Sequence, residues 1–128
     1  MDTPNAAAAT KILVIVAGTN EPSNSNVLAD AMMEGVKSTG ATVTKLRLKD
    51  MQIAHFGLEC YGPHCPVDDL ERVKAEIGSA HGVIIATPIW NFSVPAHLKN
   101  LIDRMGAFAL DEQAHSLGQF HGKPFFLL

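Results

Sequence analysis

An α/β domain with a doubly wound parallel sheet is the architecture this sequence predicts, on three observations. Two short apolar runs, KILVIVA at residues 11–17 and GVIIAT at 82–87, are rich in β-branched residues and lack the alternation of a half-exposed strand. Such runs suit strands buried on both faces. Between and after them, apolar residues recur at three- and four-residue spacing, the period of an amphipathic helix. The resulting order, β-α-β-α-β-α-β, builds a parallel sheet with helices on both faces, and the expected strand order is 2-1-3-4.

The first strand, 11–17, is followed by a polar loop at 18–25 and a helix over about 26–38. Leu28, Ala31, Met32 and Val36 form its expected apolar face. Asn24 or Ser25 is the expected cap, and Gly40 lies just past the helix end. Residues 41–48 (ATVTKLRL) read as a more polar second strand nearer an edge. A loop of about twenty residues holds Gly57, Gly62, Pro63, Pro66 and both cysteines. Asp68 or Asp69 is expected to cap a second helix with apolar positions Leu70, Val73 and Ile77.

The third strand, 82–87, leads into a loop at 88–94. Pro95 is expected at the first helical position, where its missing N–H costs nothing. Leu98, Leu101, Ile102 and Met105 form the expected face of that helix. A long connection over 106–122 precedes a fourth strand at 123–128 (KPFFLL). A doubly wound domain ordinarily continues with another helix and strand. The domain is therefore expected to be C-terminally incomplete, or its apolar edge to be covered by a partner chain.

The 128 residues suffice for one domain and not two. Residues 1–10 read as a disordered leader and 11–128 as the domain. With 47% hydrophobic and 18% charged residues, the chain can bury a core. A formal net charge of −3 offers no basic excess for nucleic acid. No apolar run approaches the roughly 20 residues of a membrane span, and no Lys or Arg precedes Lys11 to make a signal-peptide front. Two cysteines do not make a disulfide framework, so a reducing, cytoplasmic location is expected.

In an open parallel sheet the ligand sits outside the carboxyl ends of the strands, where the strand order reverses. Here that is between the first and third strands, where loops 18–25 and 88–94 meet. The first loop offers hydroxyls from Thr19, Ser23 and Ser25, amides from Asn20, Asn24 and Asn26, and the free N–H groups of a helix start. Those groups favour a phosphate, although an ordinary polar loop with a good cap has the same composition. It has neither a Gly-Lys-Ser/Thr ending nor a GxGxxG turn. The second loop sets Trp90 and Phe92 beside Asn91, aromatic faces and amides that suit a flat heterocycle. Trp90 could equally pack against a neighbouring helix or subunit.

Cys60, His64 and Cys65, with His55 upstream, do not show a recognised zinc spacing, and no metal is expected. His81 and His97 are expected at the surface or an interface.

The stretch from Pro88-Ile89-Trp90-Asn91-Phe92-Ser93-Val94-Pro95 through Leu98-Lys99-Asn100-Leu101-Ile102-Asp103-Arg104 resembles the signature of the NADPH-dependent FMN reductases. It is also similar to related iron–sulfur flavoproteins and azoreductases. Gly18-Thr19-Asn20 followed by Ser23-Asn24-Ser25-Asn26 resembles that family's phosphate loop in place and length. The likeness implies a flavodoxin-like fold, here without the last strand and helix. It puts an FMN phosphate on Thr19, Ser23, Asn24, Ser25 and Asn26. It puts the isoalloxazine ring against Pro88, Ile89, Trp90 and Asn91, with Phe92 and Ser93 nearby. Lys99 and Asp103 are expected to be structural or interfacial.

The implied activity passes a hydride from NADPH or NADH to bound FMN and then to a small acceptor: a flavin, quinone, azo compound or metal ion. The flavin carries that chemistry, so no catalytic side chain is expected. Homodimers or homotetramers are implied. Alternatives are a non-catalytic FMN-binding electron carrier and a truncated domain that has lost its cofactor.

Two residue-level departures from the family pattern bear on the site. Glu21 stands where the family often has arginine, and a carboxylate there repels a phosphate unless it faces solvent. Glu21→Arg is accordingly expected to tighten FMN binding. Only Cys60 and Cys65 remain where cluster-bearing relatives have four cysteines, so no iron–sulfur cluster is expected.

Overall fold

A computed structural model describes residues 8–109 and 120–128, with residues 107–109 described by their backbone alone. Most of the expected leader, residues 1–7, lies outside the described residues, as do residues 110–119 of the expected long connection.

The elements are β1 (Lys11–Val16), α1 (Asn24–Ser38), β2 (Thr42–Arg47), α2 (Leu70–Ser79), β3 (Gly82–Ala86), α3 (Ala96–Ala109) and β4 (Phe125–Leu127). The four strands form one parallel sheet in the order β2-β1-β3-β4, as expected. β1 is central, and Leu13, Val14, Ile15 and Val16 are each 1% exposed or less. Its side chains alternate between two cores, as the twofold period of a strand requires. Leu13 and Ile15 pack with Leu70, Val73, Ile77, Leu98 and Leu101 of α2 and α3. Val14 and Val16 pack with Ala29, Met33 and Val36 of α1 on the other side. An apolar run without polar alternation is what a strand covered on both faces needs.

Three local expectations are corrected. The cap of α1 is Ser23 rather than Asn24 or Ser25: its Oγ accepts from the Asn26 amide at 3.2 Å. The helix thus starts two residues earlier and presents Ser25 and Ala29 to the sheet. Leu28 is 55% exposed and Ala31 is exposed as well, while Met32, 38% exposed, lies at the margin of the buried face. Small residues take the buried face where α1 lies against the carboxyl ends of β1 and β3: Ser25 closely approaches Gly18, and Ala29 packs with Val14, Val16, Ile84 and Ala86.

On α3, Ile102 is 42% exposed, and the buried face instead carries Arg104, 1% exposed. Arg104 reaches Asp68 Oδ2 and the Ala54 carbonyl, so Asp68 does more than cap. Its Oδ1 accepts from Leu70 N at 2.9 Å, and its Oδ2 accepts from Ala54 N. Asp69 makes no side-chain cap and accepts from Gln52 N. Pro95 precedes the first residue of α3, and its carbonyl accepts from Leu98 N and Lys99 N. Lys99 and Asp103 pair across one turn at 2.6 Å on the outer face.

β4 is short and exposed: Phe125, Phe126 and Leu127 are 44–70% accessible. Lys123, just before it, donates to the Ile77 carbonyl at 2.6 Å and to the Ala80 carbonyl. A cation there satisfies carbonyls at the end of α2 and complements the helix dipole. On the α1 side of β3 and β4, a cavity of about 270 Å³ is lined by Ile12, Met32, Val36, Gly82, Ile84 and Phe126. Among the described residues no helix is long and apolar enough to cross a membrane.

Candidate functional site

The carboxyl ends of β1 and β3 bring the two distinctive loops together. A cavity of about 120 Å³ between them is lined by Gly18, Thr19, Asn20, Pro22, Ser23, Asn24, Ser25, Pro88 and Trp90. Parallel pairing of β1 with β3, with Val16 opposite Ala86, sets the two loops side by side. Ala17 N donates to the Ala86 carbonyl at 2.8 Å and continues that pairing into the loops.

The first loop is tightly built. A Cβ on Gly18 would lie 2.2 Å from Ser23 Oγ and 3.2 Å from Ser25 Cβ. Only a glycine lets β1 turn beneath the capping serine. Ser23 and Ser25 are 5% and 7% exposed. Because the Ser23 carbonyl and Oγ take the amides of Val27 and Asn26, the amides of Asn24 and Ser25 have no partner within the helix. Both residues line the cavity, at the positive end of the α1 dipole.

Asn26 lies outside that lining. Its amide goes to Ser23, its Nδ2 donates to Asp30 Oδ2 at 3.3 Å, and its Oδ1 is buried without a partner. Gly18, Asn20 and Pro22 line the cavity though they were not among the expected site residues.

The second loop is a tight two-residue turn. Trp90 and Ser93 exchange both backbone hydrogen bonds, at 2.9 and 3.0 Å. Asn91 and Phe92 between them hold φ of +48° and +62°. Two consecutive left-handed residues make a hairpin turn that favours Asn followed by Gly, so Phe92 carries local strain. Its side chain is fully exposed, and Ile89 is 82% exposed. Of the expected ring contacts, Pro88 and Trp90 reach the cavity, and Ile89, Asn91, Phe92 and Ser93 form a rim outside its lining.

His97 was expected at the surface or an interface. It is half-buried, and its Nε2 lies 2.6 Å from the Ala17 carbonyl. A carbonyl only accepts, so Nε2 carries the proton. The imidazole also meets the Trp90 ring edge to face, with centroids 5.7 Å apart. His97 therefore links the end of β1 to the aromatic turn. Its place in the first turn of a helix following the carboxyl edge was the available sequence signal.

Glu21 does not confront the cavity with bare charge. Its Oε1 accepts from Arg47 Nη2 at 2.5 Å and from Lys49 Nζ. Hydrogen bonds from Lys49 and then Arg47 hold its carboxyl below the usual carboxylate range. The cations the loop lacks arrive from the end of β2 and the turn after it. Sequence reasoning missed them because they are 26 and 28 residues away.

The cysteines lie elsewhere. Cys60 is buried and Cys65 is half-buried, both as thiols. Burial, and then neighbouring Cys60, push the Cys65 thiol up, with Arg104 acting in opposition. A raised pKa marks an unreactive thiol. Among the described residues no group of three His, Cys, Asp or Glu is placed to hold a metal ion. A larger cavity of about 610 Å³ lies at the amino end of the sheet, lined by Ala8, Ala9, Thr10, Ile12 and part of α1. It lacks convergent charged groups, and parallel sheets present ligands at the other edge.

The arrangement fits FMN at its phosphate end. The cavity is small and rich in hydroxyls, and its Gly18 leaves no room for a Cβ beside Ser23 Oγ. It is smaller than the roughly 300 Å³ at which small-molecule sites begin, so a ring would lie outside it along the Trp90 turn.

Solved structures share the fold. RosB, in complex with 8-demethyl-8-formylriboflavin-5′-phosphate, is 17% identical, with a TM-score of 0.80 over 93% of this chain and 51% of its own. FerB, an NAD(P)H:acceptor oxidoreductase flavoenzyme of Paracoccus denitrificans, is 20% identical, with a TM-score of 0.66 over 94% of this chain and 60% of its own. A curated iron–sulfur flavoprotein of Archaeoglobus fulgidus is 25% identical over 100 residues, 74% of this chain and 45% of that protein. The chain thus spans about half the length of that relative. The model of the NADPH-dependent FMN reductases matches residues 10–128. With its two loops meeting at the carboxyl edge and a family match over nearly its whole length, the chain belongs to the NADPH-dependent FMN reductase family.

Proposed function

We propose that residues 11–128 form an FMN-binding domain of an NAD(P)H-dependent oxidoreductase that delivers electrons to a small acceptor such as a flavin, quinone, azo compound or metal ion. The observation that carries this reading is the cavity shared by Thr19, Ser23, Asn24, Ser25, Pro88 and Trp90. Thr19, Ser23 and the amides of Asn24 and Ser25 would hold the phosphate with neutral donors and the helix dipole. Trp90, Pro88 and the rim of Ile89, Asn91, Phe92 and Ser93 would bear on the ring. FMN, when bound, supplies the two-electron chemistry. The chain's part is to orient the ring, and His97 fixes the Trp90 turn against β1. No proton need be moved by a side chain at the hydride step.

We place the protein in a reducing cytoplasm, in keeping with its two free thiols. A homodimer or homotetramer accords with the exposed Leu28, Phe125, Phe126 and Leu127.

FMN titration of the purified chain, followed by anaerobic addition of NADPH, tests the reading. Uptake of FMN and bleaching of the yellow chromophore are expected. FMN uptake without bleaching would leave an electron carrier, and no uptake at all would refute FMN binding.

A further inference from the structure

Where β1 ends, its ladder with β3 breaks at one hydrogen bond. In a parallel pair, a residue facing its neighbour donates to one residue there and accepts from the residue two further on. Leu128 follows that rule against β3: its N–H goes to the Ile85 carbonyl at 2.8 Å, and its carbonyl takes the Thr87 N–H at 3.0 Å. Ala17 completes only half of it. Its N–H goes to the Ala86 carbonyl at 2.8 Å, and the donor due to its own carbonyl is residue 88, a proline without an N–H. Ala17 is fully buried, so that carbonyl needs a donor from elsewhere. His97 Nε2 supplies it at 2.6 Å, from 80 residues along the chain.

Because Pro88 makes no bond to β1, the chain after β3 can part from it, and Pro88 and Trp90 form the second wall of the cavity. The imidazole that replaces the missing bond also meets the Trp90 ring, with centroids 5.7 Å apart. One rigid ring in the first turn of α3 thus touches both the end of β1 and the aromatic turn. Ala17 leads directly into Gly18, and Ser23 Oγ packs so closely on Gly18 that a Cβ there would lie 2.2 Å from it. Contacts therefore run without a gap from Ser23 through Gly18, Ala17 and His97 to Trp90.

We propose that His97 is a positioning residue that couples the two halves of the flavin site and so favours the phosphorylated flavin. A ligand phosphate that holds loop 18–25 still also holds Ala17, and through His97 it holds the Trp90 turn. Part of the cost of ordering the ring wall is then met at the phosphate end. Riboflavin has the ring and no phosphate, and gains nothing by this route. FMN therefore gains more over riboflavin than its phosphate contacts alone supply. This rests on the flavin reading above and deepens it by giving His97 a part in ligand choice.

Two variants divide the contacts of His97. His97→Phe keeps a ring beside Trp90 and loses the donor, whereas His97→Gln keeps a donor for Ala17 and loses the ring. FMN and riboflavin are titrated into each, with flavin fluorescence as the readout. In both variants the ratio of FMN to riboflavin affinity should fall about fivefold or more, chiefly through weaker FMN binding. In the unliganded chain, acrylamide should quench Trp90, the sole tryptophan, more readily in both variants than in wild type. Equal losses for the two flavins would overturn the proposal, since His97 would then serve the ring wall alone. So would a wild-type ratio, or wild-type quenching, in either variant. Should the variants not fold, the wild-type chain still decides. Heteronuclear NMR should show a slowly exchanging proton on His97 Nε2, and exchange at the rate of a free imidazole would overturn the link to Ala17. If the chain takes up neither flavin, the flavin reading fails, while quenching and proton exchange still decide whether His97 ties β1 to the aromatic turn.

Discussion

Arg104 and Asp68, 36 residues apart, form an ion pair of 2.8 Å with the arginine side chain 1% exposed and the aspartate 11%. The same guanidinium donates to the Ala54 carbonyl at 2.7 Å and the Pro66 carbonyl at 3.4 Å. One buried cation thereby ties the long loop after β2 to α3. Asn100 adds two contacts of its own, accepting from Phe56 N and donating to the Ala54 carbonyl. Because α3 begins at the aromatic turn, this fastening also steadies the site.

Arg104→Met should therefore be costly. Removing one partner of a buried pair leaves the other charge without compensation, which destabilises by about 3–5 kcal/mol. Urea denaturation should show a lower midpoint with little change in slope. A loss below about 1 kcal/mol would mean the pair is solvated in solution.

The pair also sets an acid limit. Burial pushes the Asp68 carboxyl up, but hydrogen bonds from Ala54 N, Arg104 and Leu70 N outweigh it, and the net direction is down. A depressed folded pKa gives stability that is complete above the unfolded value of about 3.9 and lost as pH falls through the folded one. Asp68→Asn should be less stable than wild type at pH 7, with the gap closing below about pH 4. A constant gap across that range would show that Asp68 titrates normally.

Gly18→Ala tests the phosphate cradle. The new methyl group would collide with Ser23 Oγ, so the cap and the cavity should both be disturbed. Ser23→Ala removes the cap, at about 1 kcal/mol, together with the hydroxyl proposed for the phosphate. Both should weaken FMN binding in fluorescence titration, Gly18→Ala more. Equal FMN affinity in all three proteins would place the phosphate elsewhere.

Phe92→Gly separates stability from binding. Glycine relieves the left-handed strain at φ +62°, worth about 1 kcal/mol or more. The variant should melt at a higher temperature yet bind FMN more weakly, since the exposed ring at the rim is gone. Unchanged FMN affinity would remove Phe92 from the ring-binding surface.

Glu21 revises the charge argument. The expectation that arginine there would tighten FMN binding assumed a bare carboxylate. With Arg47 and Lys49 both on Glu21, arginine would repel its own neighbours. Glu21→Gln is the cleaner substitution: it removes the negative charge and keeps a hydrogen-bond acceptor. FMN affinity should rise on the order of threefold at low salt, and the gain should fade at high salt by screening. A gain independent of salt would point to a change of loop shape instead.

Sequence alone determined the sheet, its order and the meeting of two loops at its carboxyl edge. Those rest on local signals, apolar runs too continuous for a half-exposed strand and helical periodicity between them, and on parallel crossovers that leave only a few topologies open. Six of the residues it singled out, Thr19, Ser23, Asn24, Ser25, Pro88 and Trp90, line one cavity. Helix faces were less legible. Leu28 and Ile102 fit the apolar spacing as well as the residues that replaced them, and periodicity does not say which side of an amphipathic stripe meets the sheet. Only the tertiary structure could choose Ala29 and Arg104 for those buried faces, because the choice depends on the room beneath the helix and on a partner far along the chain. The same holds for His97 against Ala17, and for Arg47 and Lys49 against Glu21. A charge or a hydrogen bond acts through space, and its partner has no fixed spacing in sequence.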